Sequence, residues 1–177
     1  MPEATEASGA SMGAGPTIRA AGPADSDAIA RIYNHYVLES IATFEERAIT
    51  DVEMATQIAG VDDAGLPWLV SESDGVLAGY AYAGPWRVRP AYRHSVELSV
   101  YIAPDYAAKG HGSRLYAELF ARLRAGPVHA VMAGIALPAP ASVALHEKFG
   151  MRQVAHLKEV GYKFGRWIDV GYWQSVL

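Results

Sequence analysis

The chain has 177 residues, 51% of them apolar, and a formal net charge of −4; this is enough for one domain with a sizeable core, and the acidic balance argues against nucleic acid or a polybasic membrane surface as partner. It has no cysteine, which excludes disulfides, thiolate metal sites and a cysteine nucleophile, and no metal site is expected. No apolar run reaches the length of a membrane span and the N-terminus lacks the basic-then-apolar order of a secretory leader, so the cytoplasm is the expected compartment.

Residues 1–16 are small and polar and predict a disordered tail, with Met12 as an alternative start and the folded domain over 17–177. Thr17–Ala20 reads as a first strand. Asp25 and Asp27 suit a helix start, and Ile29, Ile32, Tyr33, Tyr36 and Val37 follow at core spacing. Asn34 and His35 in that helix are expected to be satisfied polar or surface groups. Ile41–Phe44 is a loop leading to a weaker helix over about Asp51–Ala59. Trp68–Ser73 and Val76–Ala83 are strands joined at Asp74-Gly75, a strong hairpin signal. The loop Gly84–His94 follows, with Arg87, Arg89 and Arg93 crowded together in an otherwise acidic protein. Guanidinium forks there suit a ligand with carboxylate-like oxygens.

The central stretch is Ser95–Tyr116. Val96, Leu98, Val100 and Ile102 alternate with Ser95, Glu97, Ser99 and Tyr101, which is the pattern of a strand. Pro104 ends the ladder because it has no N–H. Lys109-Gly110-His111-Gly112-Ser113 then opens a helix carrying Leu115, Leu119, Phe120 and Leu123 at helical spacing. A strand, a glycine-rich turn and a helix start form an anion cradle, where free N–H groups and the positive helix end face a phosphate. The P-loop pattern is absent, and so is the third glycine of the dinucleotide fingerprint. Val128–Ile135 predicts another buried strand. Ser142–Phe149 predicts a short helix stopped by Gly150. Val154–Tyr162 and Trp167–Trp173 predict a last hairpin. Strands and helices interleave, with hairpins at both ends, so the sheet is expected to be mixed.

The glycine turn resembles the acetyl-CoA loop of the GCN5-related N-acetyltransferases (GNAT), whose pattern is Gln/Arg-x-x-Gly-x-Gly/Ala. Asn34-His35-Tyr36, Tyr82-Ala-Gly-Pro-Trp-Arg87, Glu97 ahead of Val100-Tyr101, Ser142-Val-Ala-Leu-His146-Glu147 and Gly161-Tyr-Lys163-Phe-Gly165-Arg-Trp167-Ile-Asp169 through Gln174 resemble one branch more closely. That branch is the phosphinothricin and methionine sulfoximine acetyltransferases. Two positions depart from the pattern: Ala107 stands where Gln or Arg is usual, and Ala139 where an Asn often helps hold the pantetheine arm.

The resemblance implies an α+β fold (mixed α/β, the GNAT fold) with a mostly antiparallel twisted sheet of six to seven strands and about four helices. It implies acetyl-CoA as cosubstrate, a small amine as substrate and a homodimer. Glu97, on a strand among apolar neighbours, is the expected general base, since burial raises a carboxylate pKa. His146 is expected as general acid or substrate-positioning group. Tyr101, Ile102, Lys109, Gly110, His111, Gly112, Ser113, Arg114 and Ser142 are expected at the cofactor, with backbone N–H groups near Tyr101 and Ile102 meeting the oxyanion. Phe44, Arg87, Arg89, Tyr92, Arg93, Ser99 and Tyr162 are expected at a glutamate-like substrate. Two other readings stay open: acetylation of a different amine, such as a protein N-terminus, and a non-catalytic acyl-CoA-binding module, for which Ala107 and Ala139 speak.

Overall fold

A computed structural model describes residues 15–177, so all but the last two residues of the tail expected over residues 1–16 lie outside the described residues. One seven-stranded sheet organises the domain. Its strands are β1 (Thr17–Ala20), β2 (Trp68–Ser73), β3 (Val76–Pro85), β4 (Ser95–Ile102), β5 (Ala130–Ala136), β6 (Arg152–Lys163) and β7 (Arg166–Val176), with four helices α1 (Ser26–Glu39), α2 (Asp51–Asp63), α3 (His111–Arg124) and α4 (Pro140–Lys148). The strand order is β1-β2-β3-β4-β5-β7-β6. Every neighbouring pair is antiparallel except β4 and β5. Both faces are covered. Ile29, Ile32, Met54 and Ile58 of α1 and α2 pack with Trp68, Val70 and Tyr80 on one side. Leu115, Leu119, Phe120 and Leu123 of α3 pack with Leu69, Val96, Leu98 and Val131 on the other. Leu69 and Val70 are both 0% exposed because successive side chains of a strand enter opposite cores. Among the described residues no helix is long and apolar enough to cross a membrane.

The sequence-derived boundaries shift for local reasons. α2 runs past Gly60 to Asp63 because Val61 extends the buried stripe of Met54 and Ile58; its start carries a capping box between Thr50 and Glu53. α4 begins at Pro140, a residue pre-set for the first helical position. β5 begins only at Ala130, since the N–H groups of His129 and Ala130 both reach the carbonyl of His94, at 2.8 and 3.1 Å. β6 carries a bulge between Leu157 and Gly161, with Glu159 at φ 52°. The carboxylate of Asp169 pins it, accepting from the Glu159 N–H at 2.9 Å and from His156 Nε2 at 2.6 Å.

Two buried imidazoles lock α3 in place. His111 is 4% exposed, and its Nδ1 lies 2.8 Å from Ser71 Oγ on β2. His146 is 3% exposed and joins α4 to α3. Its Nδ1 faces the Ser142 carbonyl at 2.7 Å and must therefore donate. Nε2 is then an acceptor, and it takes the hydroxyl proton of Tyr116 at 2.8 Å. Burial pushes both histidine pKa values down, so the folded state favours the neutral rings. The stability they confer is complete above the unfolded histidine pKa of about 6.5 and is lost as pH falls below it. The urea midpoint is accordingly expected to hold between pH 7 and 8 and to drop by about pH 5.5. Equal midpoints at pH 7.5 and 5.5 would show that neither ring resists protonation.

Candidate active site

The site begins where two strands part. β4 and β5 pair only over Ser95–Glu97 and Ala130–Met132. Beyond Glu97, β4 stays with β3, whereas β5 follows β7. The gap is a narrow cleft of about 90 Å³ between Leu98–Tyr101 and Gly134–Ala136, closed by Ala42 and by Ala139, Ser142 and His146. Ser95 O and Ala103 N–H both bond toward β3. Backbone direction alternates along an antiparallel ladder, so Leu98, Val100 and Ile102 turn their N–H and C=O groups toward the cleft. The Ile102 carbonyl is taken by the Tyr36 hydroxyl at 2.5 Å. Tyr101 lines the cleft, but its N–H faces β3 and its ring packs among Tyr33, Tyr36 and Tyr80. The amide that faces the cleft is that of Val100.

At the end of β4 the glycine turn leads into α3. Gly110 has φ 84° and caps the helix, a conformation that glycine adopts without strain. The first intrahelical bond runs from Arg114 N–H to the Gly110 carbonyl, so the amides of His111, Gly112 and Ser113 precede the ladder. A hollow of about 400 Å³ surrounds them, lined also by Ile102, Tyr106, Ala141, Leu145 and Lys148. Lys148 Nζ donates to Ser113 Oγ at 2.9 Å, and Lys109 Nζ lies 5.3 Å from the Tyr106 ring centre. Lys148 was not anticipated from sequence.

A Cβ on Gly112 would meet Leu145 at 3.2 Å, so this glycine serves the α3–α4 contact, while its amide still lines the hollow. Two expectations change here. The His111 side chain turns inward to Ser71 and leaves only its N–H to the turn. Arg114 is exposed and does not line the hollow.

On the other side of the cleft lies a pocket of about 310 Å³ with Glu97 in its wall. Ile41, Ala42, Thr43 and Phe44 wall it from the loop after α1, Leu157 and Val160 from the β6 bulge, and Val170 and Tyr172 from β7. Ala42, Gly134 and Ala136 belong to both cavities, so the two adjoin. Glu97 is half-buried, and desolvation pushes its pKa up, while the Gly134 N–H and the Arg87 guanidinium pull it down. A Cβ on Gly134 would lie 3.2 Å from both Glu97 Oε1 and the Tyr172 ring, so glycine makes room for the carboxylate.

Arg87 lies over Trp86, 4.7 Å from its ring centre, and Trp86 meets Tyr172 edge-on at 5.5 Å. Arg87, Tyr92 and Arg93 together line a hollow of about 290 Å³ with Arg122 and Pro127, separate from the Glu97 pocket. Arg89 is exposed and lines neither cavity. Tyr162 stands 55% exposed and packs on Trp167 at 4.9 Å, outside the pocket. Phe44 lines the pocket, whereas Ser99, expected at the amine, lines the cleft. His146 lines the cleft, but both its ring nitrogens are engaged within the protein. That arrangement supports positioning of α4 rather than the proton donation expected of it.

The geometry therefore offers a desolvated carboxylate beside a cleft with a free strand amide, and a helix start suited to a phosphate. The acetyltransferase (GNAT) domain family matches residues 18–171. The phosphinothricin N-acetyltransferase of Alcaligenes faecalis is 46% identical over 162 residues, covering 91% of this chain and 82% of that protein. The L-methionine sulfoximine/L-methionine sulfone acetyltransferase of Salmonella typhimurium is 42% identical, covering 91% of this chain and 94% of its own. A GNAT superfamily phosphinothricin acetyltransferase from Sinorhizobium meliloti, solved in complex with acetyl-CoA, superposes with a TM-score of 0.89 at 37% identity, covering 92% of this chain and 88% of that one. The parted strands, the glycine-turned helix start and the matched sequence lead to one conclusion: the chain belongs to the GNAT acetyltransferase family.

Proposed function

We propose that the protein acetylates the α-amine of a small amino acid, such as methionine sulfoximine, methionine sulfone or phosphinothricin, with acetyl-CoA as donor. The observation that carries this reading is the Glu97 carboxylate, half-buried in the wall of a pocket that adjoins the cleft. Relatives with these substrates in their names support the choice of amine. The residues present suit acetyl-CoA. The free amides at His111–Ser113, with Lys148 beside them, fit a diphosphate. The cleft between β4 and β5 fits a thin acyl-bearing arm, with Ala139 contributing no polar group and Ser142 beside it in the lining. Acetyl-CoA supplies an activated thioester.

An amine enters the pocket as ammonium and yields a proton to Glu97, directly or through water. The freed lone pair forms the N–C bond, the C–S bond breaks, and the remaining excess proton on nitrogen passes, directly or through water, to the departing thiolate. Val100 N–H is the donor best placed for negative charge developing on the carbonyl oxygen. Arg87 is the cation nearest Glu97 and suits the α-carboxylate of the substrate. A homodimer in the cytoplasm belongs to this reading. The support for the dimer is the edge hairpin of β6 and β7, where Val154, Val160 and Tyr162 of β6, Phe164 of the turn and Trp167 of β7 are each more than half exposed.

Glu97→Gln is expected to lower kcat by about 10²–10⁴-fold in steady-state assays. Parental activity rises with pH as Glu97 deprotonates, at a pH above the ordinary carboxylate range because burial raises its pKa, and the variant loses that ascending limb. Near-parental kcat at pH 7 would remove Glu97 from the base role. Arg87→Ala is expected to reduce kcat/KM for the amine roughly 10–100-fold through KM, with Arg89→Ala close to the parent. Equal losses in the two variants would show that the loop acts by charge alone. Light scattering is expected to return twice the 19.0 kDa chain mass, and a single-chain mass at micromolar concentration contradicts the dimer.

A further inference from the structure

Lys163 is the most deeply buried cation among the described residues, at 2% exposed, and the chemistry above does not use it. It closes β6, and its Nζ donates to the carbonyls of Ser40 and Thr43, each at 2.8 Å. Those two oxygens flank Ile41 and Ala42, the segment that walls the amine pocket. The segment is irregular backbone, so its carbonyls lack a helix or strand partner and need another donor. A buried ammonium is costly unless hydrogen-bonded, and here each group satisfies the other across more than a hundred residues of sequence. Two residues earlier on β6, Gly161 seats the Phe44 ring: a Cβ there would lie 2.3 Å from Phe44 Cζ. The end of β6 thus holds the pocket wall at two points, one polar and one steric.

We propose that Lys163 is a positioning residue that fixes the loop Ser40–Phe44 as the wall of the amine pocket and thereby sets the affinity for the amine. This rests on the amine pocket assigned above. The loop has a second tie, since the Tyr33 hydroxyl lies 2.8 Å from Thr43 Oγ1. Losing Lys163 should therefore loosen the wall without unfolding α1. The acetyl-CoA side is bounded chiefly by β4, β5, α3 and α4, which Lys163 does not touch.

The test is steady-state kinetics of Lys163→Met with methionine sulfoximine, methionine sulfone and phosphinothricin, with thermal melts as a check on folding. The KM of the amine is expected to rise about tenfold or more, as for loss of a charge-assisted hydrogen bond, while the KM of acetyl-CoA stays within twofold. Gly161→Ala displaces Phe44 by an independent route and is expected to raise the same constant. A folded Lys163→Met enzyme with parental amine KM overturns the proposal, as does an equal rise in both KM values. Should Lys163→Met fail to fold, Lys163→Arg takes its place. It keeps the charge, but its longer planar head cannot meet both carbonyls at the same points, so the amine KM is again expected to rise alone, and an unchanged value overturns the proposal. Failure of the functional reading itself looks different: the parental enzyme would then acetylate none of the three amines.

Discussion

The site depends on one geometric constraint, the parting of β4 from β5 after Glu97. Three residues of parallel pairing hold the strands together; then each follows its antiparallel neighbour. A sheet that stayed closed would satisfy every backbone group and leave no cleft. Parting leaves the inward Leu98 carbonyl and the Val100 amide without a ladder partner, in a narrow space. It also places Glu97 at the last paired position, between the cleft and the broader pocket. The Glu97 carboxylate, the free amide and both cavities therefore have a common origin.

Around that opening the protein uses rigid ties rather than long side chains. His146 and Tyr116 fasten α4 to α3, and His111 fastens the start of α3 to β2. Asp169 holds the β6 bulge in the shape that brings Leu157 and Val160 onto the pocket. Lys163 holds the opposite wall. The ties of His111, His146 and Lys163 join buried groups with few alternative partners, where an unmade hydrogen bond is costly; that of Asp169 lies at the surface. Buried polar residues that read in the sequence as candidate chemistry prove in part to be fasteners. His146 is the clearest example, since its imidazole has no free nitrogen to offer.

The arginine loop shows how far a residue count can mislead. Three guanidinium groups within seven residues look like one anion site. Arg87 and Arg93 line the hollow beside Arg122, apart from the Glu97 pocket, Arg89 lines neither, and of the three only Arg87 acts on the Glu97 charge. Tyr162 misleads in the same way. Strand alternation turns it out of the sheet face that carries Gly161 and Lys163, and it reaches the surface beside Trp167.

Local patterning was enough to specify the elements. Alternation marks β4, helical spacing marks α1 and α3, Asp74-Gly75 marks the β2–β3 turn and Gly110 marks the start of α3. These are short-range effects of sterics and burial, carried by residues close in the chain. The desolvation of Glu97 was also legible, because a carboxylate among apolar strand neighbours loses water. The walls of the pocket were not legible. Ile41, Ala42, Leu157, Val160 and Tyr172 come from segments more than a hundred residues apart, and a bulge reverses the facing that simple alternation assigns to part of β6. Nor does spacing tell a fastening histidine from a catalytic one, or a buried lysine from a solvated one. Those distinctions depend on which groups meet across the core, and only the tertiary structure brings Ser142 and Tyr116 to His146, or the carbonyls of Ser40 and Thr43 to Lys163.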